Sequence, residues 1–315
     1  MEEIPVGKKI VLVGLDNAGK TSIVKLVKDK MFDPLSAAPT KGAERSEFVV
    51  LGQRIYIHDL GGQKKYRKKY VEDDVAAYFE AIDVFVYVVD MHDRDRYEET
   101  LDYFEKCVIA IARLQATPVF FVFLHKFDGE YLQELKKGSS RASIELNELK
   151  DSFQQIVKKH GGEIEEFFQT SVFDEWSCYI AFNRIWTAVV PKVDSFNLFL
   201  ENLVETNPEV TIALVLDENN NILAKKFRLV DEIDQEQQVE MAAKAVMLLI
   251  DWQKSVQHVA MQDHDYAIVE IEDHSIMIHN DPVHHIFLLI YAIGGDYQSL
   301  KDRFATIAST LENLI

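Results

Sequence analysis

Near its N-terminus the chain reads Gly14-Leu15-Asp16-Asn17-Ala18-Gly19-Lys20-Thr21, the spacing G-x-x-x-x-G-K-[ST]. An apolar run, Ile10-Val11-Leu12-Val13, precedes it, and a helical pattern, Ser22-Ile23-Val24-Lys25-Leu26-Val27, follows. A strand that enters such a loop and leaves as a helix constrains the fold strongly. The glycines let the backbone curl until its N–H groups face phosphate oxygens. The Lys20 ammonium can reach the β- and γ-phosphates, and the Thr21 hydroxyl can hold Mg²⁺. The helix directs its positive dipole end at the same anion. Asp16, Asn17, Ala18, Gly19, Lys20, Thr21 and Ser22 are therefore expected to line a nucleoside triphosphate. The plainer alternative is a glycine turn in an ordinary α/β protein.

Four further pieces follow in the order that a GTP-hydrolysing domain requires. Thr40, in Pro39-Thr40-Lys41-Gly42, could coordinate Mg²⁺ and sense the γ-phosphate. In Asp59-Leu60-Gly61-Gly62-Gln63, Asp59 could hold the hydration shell of Mg²⁺. Gly62 lets its N–H approach the γ-phosphate, and Gln63 is an amide placed to orient the attacking water. In His125-Lys126-Phe127-Asp128, the Asp128 carboxylate would accept from guanine N1–H and the N2 amine, a donor pair that adenine lacks. The stem of Lys126 would lie along the ring. ATP in place of GTP thus hinges on Asp128. Thr170-Ser171 closes the series, with a backbone N–H of Ser171 or Val172 available to guanine O6.

The hydrophobic runs Val84–Val89 and Val119–Leu124 are continuous, which suits strands buried on both faces of a mostly parallel sheet. Phe48–Leu51 and Arg54–His58 flank Gly52-Gln53, which reads as a hairpin turn. Helical patterns cover Tyr97–Leu114 and Ile144–Lys159, and Gly138-Ser139-Ser140 reads as an exposed loop. This predicts a doubly wound α/β domain over residues 1–193. Residues 194–315 have another rhythm: a helix at Val193–Glu205, strands at Thr211–Leu216 and Ile222–Phe227, and a long helix at Asp234–Val256. Strands at Tyr266–Ile271, Ser275–His279 and His285–Ile293 and a last helix at Tyr297–Leu314 complete it. That order predicts a separate α+β domain, an antiparallel sheet covered by helices.

The net charge of −18 is uneven: residues 196–315 carry 7 Lys and Arg against 20 Asp and Glu. Such a surface repels nucleic acid and anionic membranes. The acidic start Met1-Glu2-Glu3 predicts no secretory leader, Glu2 excludes N-myristoylation, and the C-terminus has no prenylation cysteine. With two cysteines, Cys107 and Cys178, no disulfide framework is expected. The expectation is a cytoplasmic protein without a membrane anchor of its own.

Together these motifs resemble the Ras-like small GTPases over residues 8 to about 191. The G-L-D-N-A-G-K-T loop and D-x-G-G-Q are most similar to the Arf branch. His125 in H-K-x-D and Thr170-Ser171-Val172-Phe173-Asp174-Glu175 are similar to the Rag/Gtr GTPases, in which a C-terminal roadblock-like domain of the element order above also occurs. The resemblance implies a switch that binds GTP or GDP with Mg²⁺ and hydrolyses GTP slowly. It implies dimerisation through residues 194–315, homo- or heterodimeric, and regulation by an exchange factor, a GTPase-activating protein and effectors. Any recruitment to a membrane surface would be through partners. The alternative is a nucleotide-holding scaffold that mediates assembly with little hydrolysis. The basic run Lys64–Tyr70 reads as a solvated switch-helix face or as a regulator surface.

Overall fold

A computed structural model of the chain describes residues 7–28, 40–138, 140–217, 222–228, 266–271, 274–281, 283–284, 286–293 and 297–314. The helix expected at Asp234–Val256 lies outside these residues. The chain separates into two compact units, Met1–Val189 and Val190–Ile315.

The first unit is built on strands β1 (Lys8–Val13), β2 (Ala43–Val50), β3 (Gln53–Leu60), β4 (Val84–Asp90), β5 (Val119–His125) and β6 (Ile164–Thr170). They form one sheet in the order β2-β3-β1-β4-β5-β6. All neighbours are parallel except the β2–β3 hairpin at the edge. The helices are α1 (Lys20–Lys28), α2 (Lys64–Lys68), α3 (Val75–Phe79), α4 (Tyr97–Arg113), α5 (Gly129–Lys136), α6 (Ser140–Lys159) and α7 (Glu175–Val189). Every residue from Val84 to Val89 is buried, because helices cover both faces. Phe85 and Tyr87 point toward Phe104 of α4, and Tyr87 also toward Phe153 of α6. On the opposite face, Phe123 meets Phe182 of α7 edge-on, with centroids 6.1 Å apart. This is the doubly wound α/β fold that the sequence predicts.

Two local readings are corrected. The hairpin turn falls on Leu51-Gly52 rather than Gly52-Gln53, and Gln53 already belongs to β3. Leu51 and Gly52 both take positive φ, 49° and 75°. A type I′ two-residue turn has this at both centres, which matches the strand twist, and leucine there gives no turn signal in the sequence. Ser140 is not in a loop: it opens α6, one residue into the segment read as exposed.

The second unit has α8 (Lys192–Thr206), β7 (Val210–Asp217), β8 (Ile222–Phe227), β9 (Tyr266–Ile271), β10 (His274–Asp281), β11 (Ile286–Ile293) and α9 (Tyr297–Glu312). Its five strands pair antiparallel in the order β8-β7-β11-β10-β9. Helix α8 packs on β7 and β8, and α9 on β10 and β11. Central β7 and the first five residues of β11 are buried throughout. The edges of this described sheet are β8 and β9.

Candidate functional site

Beyond the C-terminal ends of β1 and β3 the first unit opens into a cavity of about 240 Å³. Ligands favour this end of an open parallel sheet, beside the strand-order reversal. The lining residues are Asp16, Asn17, Ala18, Gly19, Lys20, Thr21, Ser22, Thr40, Gly61, Gly62 and Gln63. The structure thus brings together the loop and the two segments, around Thr40 and around Asp59–Gln63, that would act as first and second switch segments.

The loop between β1 and α1 depends on close backbone approach. A Cβ on Gly14 would sit 2.2 Å from the Val88 carbonyl oxygen. Asn17 (φ 62°) and Gly19 (φ 88°) supply left-handed turns. The Lys20 ammonium is buried and donates to the Gly14 and Leu15 carbonyls at 3.0 and 2.8 Å. Burial pulls its pKa down to about 8, against the opposing pull of Asp59 and Asp16.

Three oxygen groups converge beside it. The Thr21 and Thr40 hydroxyls are 2.5 Å apart, Thr21 Oγ1 donates to Asp59 Oδ2, and Thr40 Oγ1 lies 3.0 Å from the same oxygen. The other carboxylate oxygen, Asp59 Oδ1, is buried and has no hydrogen-bond partner among the described residues. A buried carboxylate oxygen without a partner carries a substantial cost. Two hydroxyls and a carboxylate form a hard-oxygen set that suits Mg²⁺, which binds through few protein oxygens and keeps several waters. These residues fit the ion.

The two switch segments also touch one another. The Gly42 carbonyl accepts from Gly61 N–H at 2.7 Å and from the Tyr70 hydroxyl at 2.9 Å. Gly62 lies flush on the phosphate loop, where a Cβ would come 2.2 Å from the Asp16 nitrogen. Gln63 caps the N-terminus of α2. Its carbonyl accepts from Tyr66 and Arg67 at 2.8 and 3.3 Å, while its side chain takes no part in the cap.

At the other end, Asp128 Oδ2 accepts from the Ser171 hydroxyl, and Phe127 N–H donates to the Thr170 carbonyl at 3.0 Å. Val172 lies in the turn after Ser171, half-buried. His125 is fully buried. Its Nδ1 lies 2.9 Å from Thr170 Oγ1, and burial pushes its pKa down to about 3, with Lys126 acting in the same direction, so the ring is neutral. A Cβ on Gly19 would sit 2.4 Å from His125 Cδ2. The ring is thus wedged between the phosphate loop and Thr170.

Sequence reasoning missed several residues here. Asp90, at the end of β4, accepts from Lys126 Nζ at 2.6 Å and from His92 N–H at 3.0 Å. His92 Nε2 lies 3.2 Å from the Asp128 carbonyl and 3.7 Å from its Oδ1. Arg96 contacts Asp16 at 2.7 Å. The reading of Lys64–Tyr70 as a solvated face holds for Lys64, Lys65, Lys68 and Lys69, which are exposed, but not for Arg67 and Tyr70, which are buried. They stand three apart, on one side of the helical segment. No motif flags these residues, since their partners lie far away in sequence. An acidic strand end such as Asp90, paired with the His125–Asp128 loop, was the available signal.

A family model described as "Gtr1/RagA G protein conserved region" matches residues 9–246, more than half of the chain and across the break between the two units. The chain is also similar to an "ADP-ribosylation factor-like protein 3" of Caenorhabditis elegans, with 36% identity over 92 residues. That similarity covers 29% of this chain and 46% of the relative, so the chain spans about half of that protein's length.

Proposed function

The chain belongs to the Gtr1/RagA G protein family, and from that premise we propose that it is a guanine-nucleotide-dependent switch that binds GTP with Mg²⁺ and hydrolyses it slowly. The observation that carries this reading is the convergence of Thr21, Thr40 and Asp59 beside Lys20, with Gly62 lying on the phosphate loop. Both switch segments thereby meet at one point, where the third phosphate would be sensed.

In this reading the amides of residues 16–22 and the Lys20 ammonium cradle the phosphates. Thr21, Thr40 and Asp59 would hold Mg²⁺, which supplies charge neutralisation to the phosphates. Gln63, held by its backbone at the start of α2, orients the attacking water. Asp128 reads the guanine edge, with its carboxylate fixed by Ser171, and the backbone at Ser171 and Val172 faces O6. Asp90 holds Lys126 against the base. Hydrolysis removes the group that both switches contact, and the contacts at Gly42 supply a route for the two to respond together.

Calorimetry with GTP, GDP and ATP, followed by single-turnover hydrolysis on the whole chain, tests the reading. GTP should bind at least about a hundredfold more tightly than ATP, since an unpaired buried polar group costs about 1–3 kcal/mol and two donors are at stake. Asp128→Asn should erase most of that preference, and an unchanged preference would remove Asp128 from base selection. Tight binding with no turnover would favour the scaffold reading.

The second unit serves, in the same proposal, as a roadblock-like dimerisation domain over residues 194–315. Its support is the antiparallel sheet with helices at either end of its sequence. Sedimentation equilibrium of the whole chain should return about twice the 36.2 kDa monomer mass, and a monomer at micromolar concentration would count against self-association.

A further inference from the structure

Asp16 places a carboxylate in the wall of the cavity, where phosphates would lie. Its side chain is about half exposed, and its only ion-pair partner among the described residues is Arg96, whose Nη2 is 2.7 Å from Asp16 Oδ1. Burial acts to raise the Asp16 pKa, but the hydrogen bond and charge of Arg96 outweigh it and hold the carboxyl below its ordinary value. The same guanidinium continues onward. Arg96 Nε lies 2.9 Å from Glu99 Oε2, and Arg67 Nη2 lies 2.6 Å from Glu99 Oε1, so each oxygen of Glu99 serves a different arginine. Arg67 is buried in α2, four residues past Gln63, and its guanidinium lies over the Tyr103 ring. Asp16, Arg96, Glu99 and Arg67 therefore form one chain from the phosphate loop to the helix behind Gln63.

Isolated exposed ion pairs contribute little, but connected charges with one buried member do more. Gly62 lies on the Asp16 amide, so Asp16 stands at the end of the loop nearest the second switch, where a third phosphate adds negative charge. Resting on the GTP-switch reading above, we propose that Arg96 is a positioning residue for that phosphate. It neutralises and holds back the Asp16 carboxylate and, through Glu99 and Arg67, fixes the helix that carries Gln63. A triphosphate gains from this more than a diphosphate does.

The experiment measures GTPγS and GDP affinities of the whole chain by calorimetry in Mg²⁺, with single-turnover GTP hydrolysis alongside. Arg96→Ala should lower the GTPγS-to-GDP affinity ratio about tenfold, because an uncompensated Asp16 charge repels the third phosphate. Asp16→Asn combined with Arg96→Ala should restore the ratio to within about twofold of wild type. A merely structural role for Arg96 would not be rescued in that way. Glu99→Gln leaves the Asp16–Arg96 pair and should keep the ratio while slowing hydrolysis about threefold. Should melting curves show that Arg96→Ala does not fold, Arg96→Lys replaces it. A lysine can reach Asp16 but cannot bridge to Glu99, so the ratio should hold and hydrolysis should slow as in Glu99→Gln. A ratio unmoved by Arg96→Ala, a double variant without recovery, or a tenfold loss of ratio in Arg96→Lys would each overturn the proposal. If wild type bound GTPγS and hydrolysed GTP, those results would leave the switch reading standing. A wild-type chain that bound neither nucleotide would overturn both.

Discussion

Lys20→Ala is expected to weaken GTP binding by at least about a hundredfold, roughly 2.7 kcal/mol. The ammonium is buried and already aimed along the loop, held by the Gly14 and Leu15 carbonyls, so it is preorganised for phosphate rather than recruited from solvent. A charge-assisted hydrogen bond in a buried site contributes about 1.5–3 kcal/mol, and Lys20 is positioned to make more than one. The same burial gives a pH signature. With its pKa near 8 in the chain alone, Lys20 is charged below that pH, and phosphate favours the charged form. Affinity for GTP should therefore be highest below pH 8 and fall about tenfold per unit as pH rises beyond it, because binding must then take up a proton. Calorimetry at pH 7 and 9 reads this, with Lys20→Ala as the control that loses the dependence. Binding of GTP by Lys20→Ala at wild-type strength would contradict the phosphate-cradle assignment.

Gln63→Leu is expected to slow single-turnover hydrolysis by about tenfold or more while leaving GTPγS affinity within about twofold of wild type. Phosphoryl transfer relies on positioning and charge stabilisation, so removing an amide that orients water lowers the rate of the chemical step and not ground-state binding. The backbone of Gln63 is fixed as the cap of α2, and leucine can keep those hydrogen bonds. Hydrolysis at the wild-type rate would remove Gln63 from its role.

The phosphate loop, the Asp59–Gln63 segment and the Asp128 loop were legible in the sequence because each is a short run whose meaning depends on a strand directly before it. The buried runs Val84–Val89 and Val119–Leu124 likewise showed a parallel sheet. The pairs that couple the site were not legible. Asp16 and Arg96 stand 80 positions apart, and Arg67 sits in a run of lysines that looks uniformly solvated. Its contacts with Glu99 and Tyr103 of α4 place it inside. The β2–β3 turn was misplaced by one residue because Leu51 adopts a conformation that turn statistics reserve for glycine and asparagine. The residues that hold the site in place are thus harder to read than those that would touch the ligand.

The His125 ring bears on what substitution at this position means. It fills the gap against Gly19 on one side and meets the Thr170 hydroxyl on the other. An asparagine in its place is shorter and would leave a void beside Gly19. Histidine and asparagine are therefore not interchangeable here: each requires its own spacing between the loop at Gly19 and the strand end at Thr170. The imidazole sets the distance between the two ends of the nucleotide site, much as a shim sets the gap between two machined faces.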